Sequence, residues 1–212
     1  MSESLRPSSL REQFGDIDIY LFDQLLRGRI TDGMTVLDAG CGGGRNLVFM
    51  MRARMNLFGI DESADAVAAV RRQATTLAPH LPPDRFTVQQ LDALSFRDGS
   101  MNVVISSAVL HFARDEAHFA AAVREMWRVV TPGGLFFCRL ASTIGIEGQV
   151  RVLQGRRHVL PDGSTRFLVD TPYLMDFTTR LGGTLLDPLK TTVVQGMRAM
   201  TTWVLRKPES CA

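Results

Sequence analysis

The chain has 212 residues, of which 45% are hydrophobic and 22% are charged, and its formal net charge is +2. This composition is typical of a globular domain and excludes a mostly disordered or fibrous protein. The near-neutral charge lacks the basic excess that is typical of proteins whose main partner is a nucleic acid backbone. We therefore expect one soluble domain without a nucleic acid partner.

Cysteine spacing and the length of apolar runs indicate the cellular setting. The three cysteines, Cys41, Cys138 and Cys211, are far apart and show no CxxC spacing, which argues against a disulfide framework or a structural zinc site. No apolar run approaches the ~18 residues of a membrane span, and the N-terminus lacks the apolar segment of a secretory signal. The sequence predicts a cytoplasmic protein with no membrane partner and no metal.

The predicted elements begin with a helix and continue as an alternation of strands and helices. After a polar leader, apolar residues recur at three and four spacing over residues 17–28, as an amphipathic helix requires. Helical patterns follow at residues 46–54, 64–77 and 115–130. They alternate with short apolar runs that predict strands at residues 34–37, 57–60, 85–90, 102–106 and 134–139. This alternation predicts βαβ units and a parallel sheet with helices on both faces.

The last third of the chain interrupts this rhythm. Residues 141–165 are rich in Gly, Arg and polar side chains, which predicts a loop or lid. Pro172 just after Asp170 predicts the start of a helix. Strands at residues 184–189 and 197–205 are expected to close the sheet as an antiparallel pair. The predicted fold class is α/β, a Rossmann-like three-layer sandwich with a seven-stranded, mostly parallel sheet whose last strand is antiparallel.

The most informative segment is a glycine-rich turn after the first predicted strand. Glycines at positions 40, 42, 43 and 44 permit positive φ and close approach of a ligand to the main chain. The dinucleotide fingerprint GxGxxG fails because its last glycine would fall on Arg45, and the phosphate-binding GxxxxGK[ST] pattern fails for want of a Lys. Asp38, which precedes the glycines, would repel phosphates and suit a cation. A glycine-rich turn without a ligand is the alternative.

A second acid, Asp61, follows at the end of the next predicted strand. In a βαβ unit a carboxylate at this position can accept both hydroxyls of a ribose. The alternative is that Asp61 caps the following helix, since Glu62 and Ser63 come directly after it. Together with the glycine turn, Asp61 favours ribose binding.

This pattern resembles the first motif of the class I S-adenosylmethionine-dependent methyltransferases, which has the form (D/E)-x-G-x-G-x-G. The matching residues are Asp38, Gly40, Gly42 and Gly44. Residues 90–93 resemble the adenine-facing motif of the family, residues 102–111 its fourth motif, and residues 128–134 the helix-turn-strand that follows. One departure is Asn102, where many members have Asp.

The resemblance also extends weakly to one type within the class. Residues 44–46 and the terminal residues 198–207 are similar to the tellurite-resistance and thiopurine type of small methyltransferases. The family resemblance implies a single domain with four parts: an N-terminal leader and helix (1–33), a cofactor-binding core (34–140), a lid or loop insertion (141–170), and a closing helix with antiparallel strands (171–212).

S-adenosylmethionine is the cofactor that the resemblance implies. It places Asp38 near the amino-acid end of this cofactor, Asp61 at its ribose and Asp92 at its adenine. The full set of cofactor-binding residues that we expect is Asp38, Ala39, Gly40, Cys41, Gly42, Gly44, Asn46, Asp61, Glu62, Asp92, Ala93 and Ser107.

The implied reaction is in-line displacement of a methyl group by a small-molecule acceptor, which the protein assists mainly by proximity and exclusion of water. His111, shortly after the fourth-motif strand, is the predicted general base, with packing beneath the lid as the alternative. Arginines within residues 151–158 would hold an anionic substrate or belong to a solvated loop. The expected substrate-binding residues are Tyr20, His111, Arg156 and Arg157.

Three other functions fit parts of the sequence. A protein that binds the cofactor without transferring a methyl group would need the same glycine turn and acids. A nucleic acid or protein methyltransferase would need a basic face or a recognition domain, and neither is evident. A nicotinamide oxidoreductase is disfavoured, because Arg45 stands where the dinucleotide fingerprint has its last glycine. We expect a monomer or a homodimer.

Overall fold

The computed structural model describes residues 9–209, so Cys211 and the first eight residues of the predicted leader lie outside the described residues. The first part of the chain forms α1 (Leu10–Phe14), α2 (Ile19–Leu26), β1 (Thr35–Ala39), α3 (Val48–Arg52), β2 (Asn56–Asp61), α4 (Ala64–Leu77), β3 (Phe86–Val88), β4 (Met101–Ser107), α5 (Glu116–Val129) and β5 (Val130–Ser142). The second part forms β6 (Arg151–Gln154), β7 (Arg157–Val159), β8 (Thr165–Phe167), α6 (Thr171–Arg180), β9 (Thr184–Leu185), β10 (Lys190–Val194) and β11 (Arg198–Arg206).

The main sheet has the strand order β3-β2-β1-β4-β5-β11-β10, with the short β9 beside the end of β11. The neighbours from β3 to β5 are parallel, whereas β11 is antiparallel to both β5 and β10. The predicted α/β fold, with a seven-stranded, mostly parallel sheet and an antiparallel last strand, is confirmed. Because the strand order reverses between β1 and β4, a crevice opens at the carboxyl ends of these two strands.

Alternating strand residues build a core on each face of the sheet. On one face the strands pack against α2, α3 and α4, and on the other against α5 and α6. Residues of the first face include Val36, Ile105 and Phe137, and residues of the second include Leu37, Val104 and Phe136. This two-sided burial explains why the central strands read as nearly continuous apolar runs.

Side-chain caps fix the starts of the longer helices. The Ser63 hydroxyl accepts a hydrogen bond from the amide of Ala66, and the Asp115 carboxylate accepts one from the amide of His118. Asp170 caps α6 in the same way, as the Pro172 pattern predicts. Among residues 9–209, no helix has both the length and the apolar character needed to cross a bilayer.

Residues 141–165, expected to be a loop or lid, include β6, β7 and the start of β8 between turns. β5 continues to Ser142, and β6, β7 and β8 form a separate three-stranded antiparallel sheet. Ala141, Leu160 and Leu168 form a small apolar cluster that packs this sheet against the domain. Its strands are only three or four residues long, so their alternation is too short to stand out in the sequence.

The closing strands also differ from the expectation. Of the predicted strand 184–189, only Thr184–Leu185 pairs with β11, and β10 is the longer strand on that side of β11. Asp187 leaves the strand to pair with Arg29 at 2.6 Å, and Pro188 has no amide hydrogen for a ladder bond. β5 starts at Val130 rather than at residue 134, because a register shift absorbs the glycine-containing turn.

Candidate functional site

A cavity of about 830 Å³ opens at the crevice beside the carboxyl ends of β1, β2 and β4. Its walls come from the glycine turn, the end of β2, residues 89–91 and residues 107–110, with Gly15 and Asp16 on the N-terminal side. The volume falls within the range of about 300 to 1,000 Å³ that is typical of small-molecule pockets. The cavity is therefore the candidate active site.

The glycine turn needs glycine at specific positions. Gly40, Gly42 and Gly44 have φ of 86°, 53° and 86°. A Cβ on Gly40 would lie 2.5 Å from Cγ2 of Val109, so this glycine also permits a close contact. The amides of Gly40 and Cys41 both donate to the main-chain oxygen of Ile60 at 2.8 Å, which holds the turn against the end of β2.

Asp61 joins the glycine turn to the start of α4. Its Oδ2 accepts a hydrogen bond from the Gly42 amide at 2.9 Å, and its Oδ1 accepts one from the Ser63 amide at 2.9 Å. The helix cap is Ser63, so the capping alternative for Asp61 does not hold. Asp61 lines the cavity with its orientation fixed.

Asp38 lies fully buried at the base of the turn. Neither carboxylate oxygen has a hydrogen-bond partner among residues 9–209. Burial raises the pKa of Asp38 to about 7, and the charge of Asp61 adds to this while Arg45 opposes it. An unpaired buried carboxylate costs free energy, and such a group beside a cavity is a candidate for binding a cation.

Arg45 lines the cavity, although the sequence analysis used it only to reject a motif. Its guanidinium donates to the Ser107 hydroxyl at 3.0 Å and to the main-chain oxygen of Asp16 at 3.2 Å. No carboxylate lies within ion-pair distance of Arg45 in the part of the chain that the structure describes. Its position directly after the glycine turn was the available signal.

Asp18, a residue that the sequence analysis did not single out, connects the N-terminal segment to this wall. Its buried carboxylate accepts hydrogen bonds from the Ser107 hydroxyl at 2.9 Å and from the Arg139 guanidinium at 3.2 Å. Its amide donates to Oδ1 of Asn46 at 3.0 Å. Nothing in the local sequence distinguishes Asp18 from an ordinary helix cap, which it also is.

The predicted cofactor-binding residues divide into two groups. Those that line the cavity are Gly40, Cys41, Gly42, Asn46, Asp61, Glu62 and Ser107. Those that lie behind its wall or beside it are Asp38, Ala39, Gly44, Asp92 and Ala93. Asp92 lies 3.7 Å from the Arg114 guanidinium and 3.9 Å from Nε2 of His118, and both of these partners line the cavity.

His111 lies in the short 3₁₀ turn Leu110–Phe112 and is 8% exposed. It does not line the cavity, although both of its neighbours in the turn do. Burial lowers the pKa of His111 to about 4, and the charges of Arg166 and Arg139 lower it further in the same direction. The imidazole is therefore neutral near pH 7.

The other predicted substrate residues, Tyr20, Arg156 and Arg157, do not line the cavity. Arg156 pairs with Asp170 at 3.1 Å and stacks on Tyr173 at 3.8 Å, so its charge is already used within the fold. Arg157 in β7 does not line the cavity. The Tyr20 hydroxyl lies 2.6 Å from Oγ1 of Thr192. Both arginines lie in the β6–β7 hairpin of the small sheet and outside the cavity lining, which their spacing in the sequence did not reveal.

The cavity fits the cofactor that the sequence predicts. Asp61, Glu62 and Arg45 line the cavity, and Asp38 is a buried acid next to the turn. A nucleoside with ribose hydroxyls, a cationic centre and a carboxylate matches this set of charges. At Gly42 nothing lies within 4 Å of the place that a Cβ would take, so the main chain of the turn is open to such a ligand there.

Comparisons with known proteins agree with this geometry. Residues 37–138 match the model of a methyltransferase domain family. The chain is 40% identical over 104 residues to 2-methyl-6-phytyl-1,4-hydroquinone methyltransferase of Synechocystis, an alignment that covers 49% of this chain and 30% of that protein. Alignments with the first three curated relatives span 30%, 38% and 47% of the length of those proteins.

Solved structures share the fold at low sequence identity. An S-adenosylmethionine-dependent methyltransferase of Methanosarcina mazei superposes with a TM-score of 0.68 at 17% identity, and the match covers 88% of this chain and 98% of that one. The [4+2]-cyclase SpnF superposes with a TM-score of 0.67 at 17% identity, covering 96% and 89%. The matching domain model, the sequence relatives and the shared fold together support a class I S-adenosylmethionine-dependent methyltransferase.

Proposed function

We propose that the chain transfers a methyl group from S-adenosylmethionine to a small-molecule acceptor. The observation that carries this proposal is the arrangement of Asp38, the glycine turn and Asp61 around one cavity. The hydroquinone methyltransferase relative supports a small-molecule acceptor. The near-neutral charge of +2 gives no support to a nucleic acid acceptor.

Each end of the cavity has a role in this proposal. Asp61, held by two amide donors, would accept the ribose hydroxyls. Residues 89–91, next to Asp92, would face the adenine. Arg45 would hold the carboxylate of the cofactor, because it lines the cavity and has no carboxylate of its own within 4 Å among residues 9–209.

Bound S-adenosylmethionine supplies an electrophilic methyl group: the lone pair of the acceptor forms the new bond to the methyl carbon, and the electrons of the broken S–C bond stay on sulfur, which leaves S-adenosylhomocysteine. The chain itself holds the reactants in line and excludes water. Good positioning contributes about 7 to 11 kcal/mol in such reactions. Gly15 and Asp16, from the N-terminal segment, line the cavity and help to exclude water.

The catalytic role of His111 stays a prediction. Its neutral imidazole has the form that accepts a proton, but Arg139 and Arg166 oppose the positive charge that would result. We infer that the acceptor is a nucleophile that needs little help from a base, such as a thiolate or an oxyanion. A cytoplasmic location and a monomeric or dimeric state are further parts of the proposal.

Titration calorimetry with S-adenosylmethionine, S-adenosylhomocysteine and NADH tests the cofactor. We expect both adenosyl compounds to bind and Asp61→Asn to weaken them about tenfold or more, because it removes a charged acceptor for the ribose hydroxyls. Asp65→Asn, in the exposed first turn of α4, is the matched control and should bind normally. Binding of NADH in preference to the adenosyl compounds would overturn the assignment.

A second candidate is a protein that binds the cofactor and catalyses no methyl transfer. The fold likeness to a protein named a [4+2]-cyclase supports this candidate, because the same architecture occurs in a protein named for a different activity. A screen of thiol, amine, hydroxyl and oxyanion acceptors, with S-adenosylhomocysteine release as the readout, separates the two. Tight binding of S-adenosylmethionine with no release for any acceptor class would support the second candidate.

A further inference from the structure

Charge is distributed unevenly around the cavity. Acids gather at the end of β2, where Asp61 and Glu62 lie. Three guanidinium groups lie near the end of β4 and the 3₁₀ turn Leu110–Phe112, and of these Arg45 lines the cavity. There Arg45 bonds to Ser107, Arg139 pairs with Asp18, and Arg166 lies over the ring of Phe112.

Two of these three positive charges have a partner. Asp18 neutralises Arg139 at 3.2 Å. Under the proposed function, the carboxylate of the cofactor neutralises Arg45. Arg166 forms no ion pair within 4 Å among the residues that the structure describes. Its guanidinium donates a hydrogen bond to the main-chain oxygen of Thr165 at 2.8 Å. Asp162, in the preceding turn, interacts with Arg166 only at longer range.

Phe112 is the second unusual residue at this end. It lines the cavity, yet 60% of it is exposed, and the Arg166 guanidinium lies 4.9 Å from its ring centroid. The His111 ring lies 4.5 Å away on the same turn. A large exposed aromatic ring on a cavity wall is a common anchor for a flat apolar ligand.

Two buried polar atoms beside this turn also have no hydrogen-bond partner in the described part of the chain. They are Nδ1 of His111 and Nε of Arg139. Both Arg139 and Arg166 act on the charge of His111, so the three side chains share one neighbourhood. Together they form a cluster with donors in excess over acceptors, which favours an anion.

We propose that the methyl acceptor carries an anionic group on a flat apolar body, with the anion held by Arg166 and the body packed on Phe112. This inference rests on the proposed function and names its substrate class. It favours Arg166 over Arg156 and Arg157: none of the three lines the cavity, but Arg166 lies over the ring of Phe112, which does.

Calorimetry on protein saturated with S-adenosylhomocysteine tests the substrate class with matched probes. The probes are 2-naphthoate and benzoate, each paired with its neutral carboxamide. We expect each acid to bind about tenfold more tightly than its amide, as a charge-assisted hydrogen bond allows. Arg166→Gln should abolish this preference, and Phe112→Leu should weaken both naphthyl probes equally.

Arg157→Gln is the matched control, because Arg157 lies in the neighbouring strand of the same sheet, whereas Arg166 is the arginine that lies over the Phe112 ring. It should leave the acid preference unchanged. The inference is overturned if acid and amide bind alike, if neither binds, or if Arg157→Gln has the effect expected of Arg166→Gln. Failure of S-adenosylhomocysteine itself to bind would instead overturn the proposed function, so the two failures are distinguishable.

Discussion

Asp18 and Ser107, 89 positions apart in the chain, share a buried hydrogen bond of 2.9 Å. The bond links the start of α2 to the end of β4, and Ser107 in turn accepts a hydrogen bond from Arg45. Because Gly15 and Asp16 precede α2 and line the cavity, Asp18 fixes the segment that covers the site. This contact makes the N-terminal segment part of the cofactor pocket.

Asp18→Asn should loosen that segment. The substitution keeps the shape of the side chain but removes the charge that pairs with Arg139, and loss of one partner of a buried ion pair costs about 3 to 5 kcal/mol. We expect S-adenosylhomocysteine to bind about tenfold more weakly and to protect residues 10–26 from hydrogen exchange less than in the parent protein. Asp23→Asn, which removes an ion pair on the partly exposed face of α2, should leave both measurements unchanged.

Asp38 makes stability depend on pH. Because its pKa rises from the ordinary 3.8 to about 7, the folded protein keeps a proton that the unfolded chain loses between these values. Folding stability therefore falls as pH rises from about 4 to about 7, by an amount on the order of a few kcal/mol. In Asp38→Asn this fall should be absent. Urea unfolding of both proteins at several pH values across that range gives their free energies of unfolding, and the difference between them is the measurement.

The same variant should lose function as it gains stability. A neutral amide cannot attract a cationic ligand, so Asp38→Asn should be more stable than the parent protein at pH 8 and bind S-adenosylmethionine more weakly. Equal cofactor affinity in the two proteins would contradict a binding role for Asp38.

Gly40→Ala should be more damaging than Gly42→Ala. Both positions have positive φ, which costs alanine about 1 kcal/mol. Only at Gly40 would the new Cβ collide with Val109, at 2.5 Å, whereas nothing lies within 4 Å at Gly42. Urea unfolding should show a further loss of about 1 to 3 kcal/mol for Gly40→Ala from overpacking. Equal losses would mean that the turn relaxes around the collision.

His111→Gln tests whether the imidazole moves a proton. If it only packs, methyl transfer should fall by less than about tenfold, whereas loss of a general base costs about 10²- to 10⁴-fold. The pKa of His111 is lowered from 6.5 to about 4 in the folded protein. The unfolded chain therefore takes up the proton first, and the folding stability of the parent protein falls as pH decreases between these values. The variant should lack this acid sensitivity in urea unfolding.

Local patterns in the sequence were sufficient for the cofactor half of the molecule. The helix predicted at residues 64–77 coincides with α4, because a composition rich in Ala and Arg is a local helix signal. Asp38, Asp61 and the glycine turn were identifiable because a short strand-turn-helix unit fixes their geometry within one stretch of chain. The alternation of strands and helices likewise determined the order of layers.

The substrate half was decided by contacts between distant parts of the chain. Asp18 gains its role only when α2 meets β4 and β5, and Arg166 gains its role only when β8 packs beside the turn that carries Phe112. The small sheet that turns Arg156 and Arg157 away has strands too short to leave a periodic signal. Periodicity and motif spacing thus determined the fold and the cofactor turn, while long-range packing alone decided which charges face the cavity.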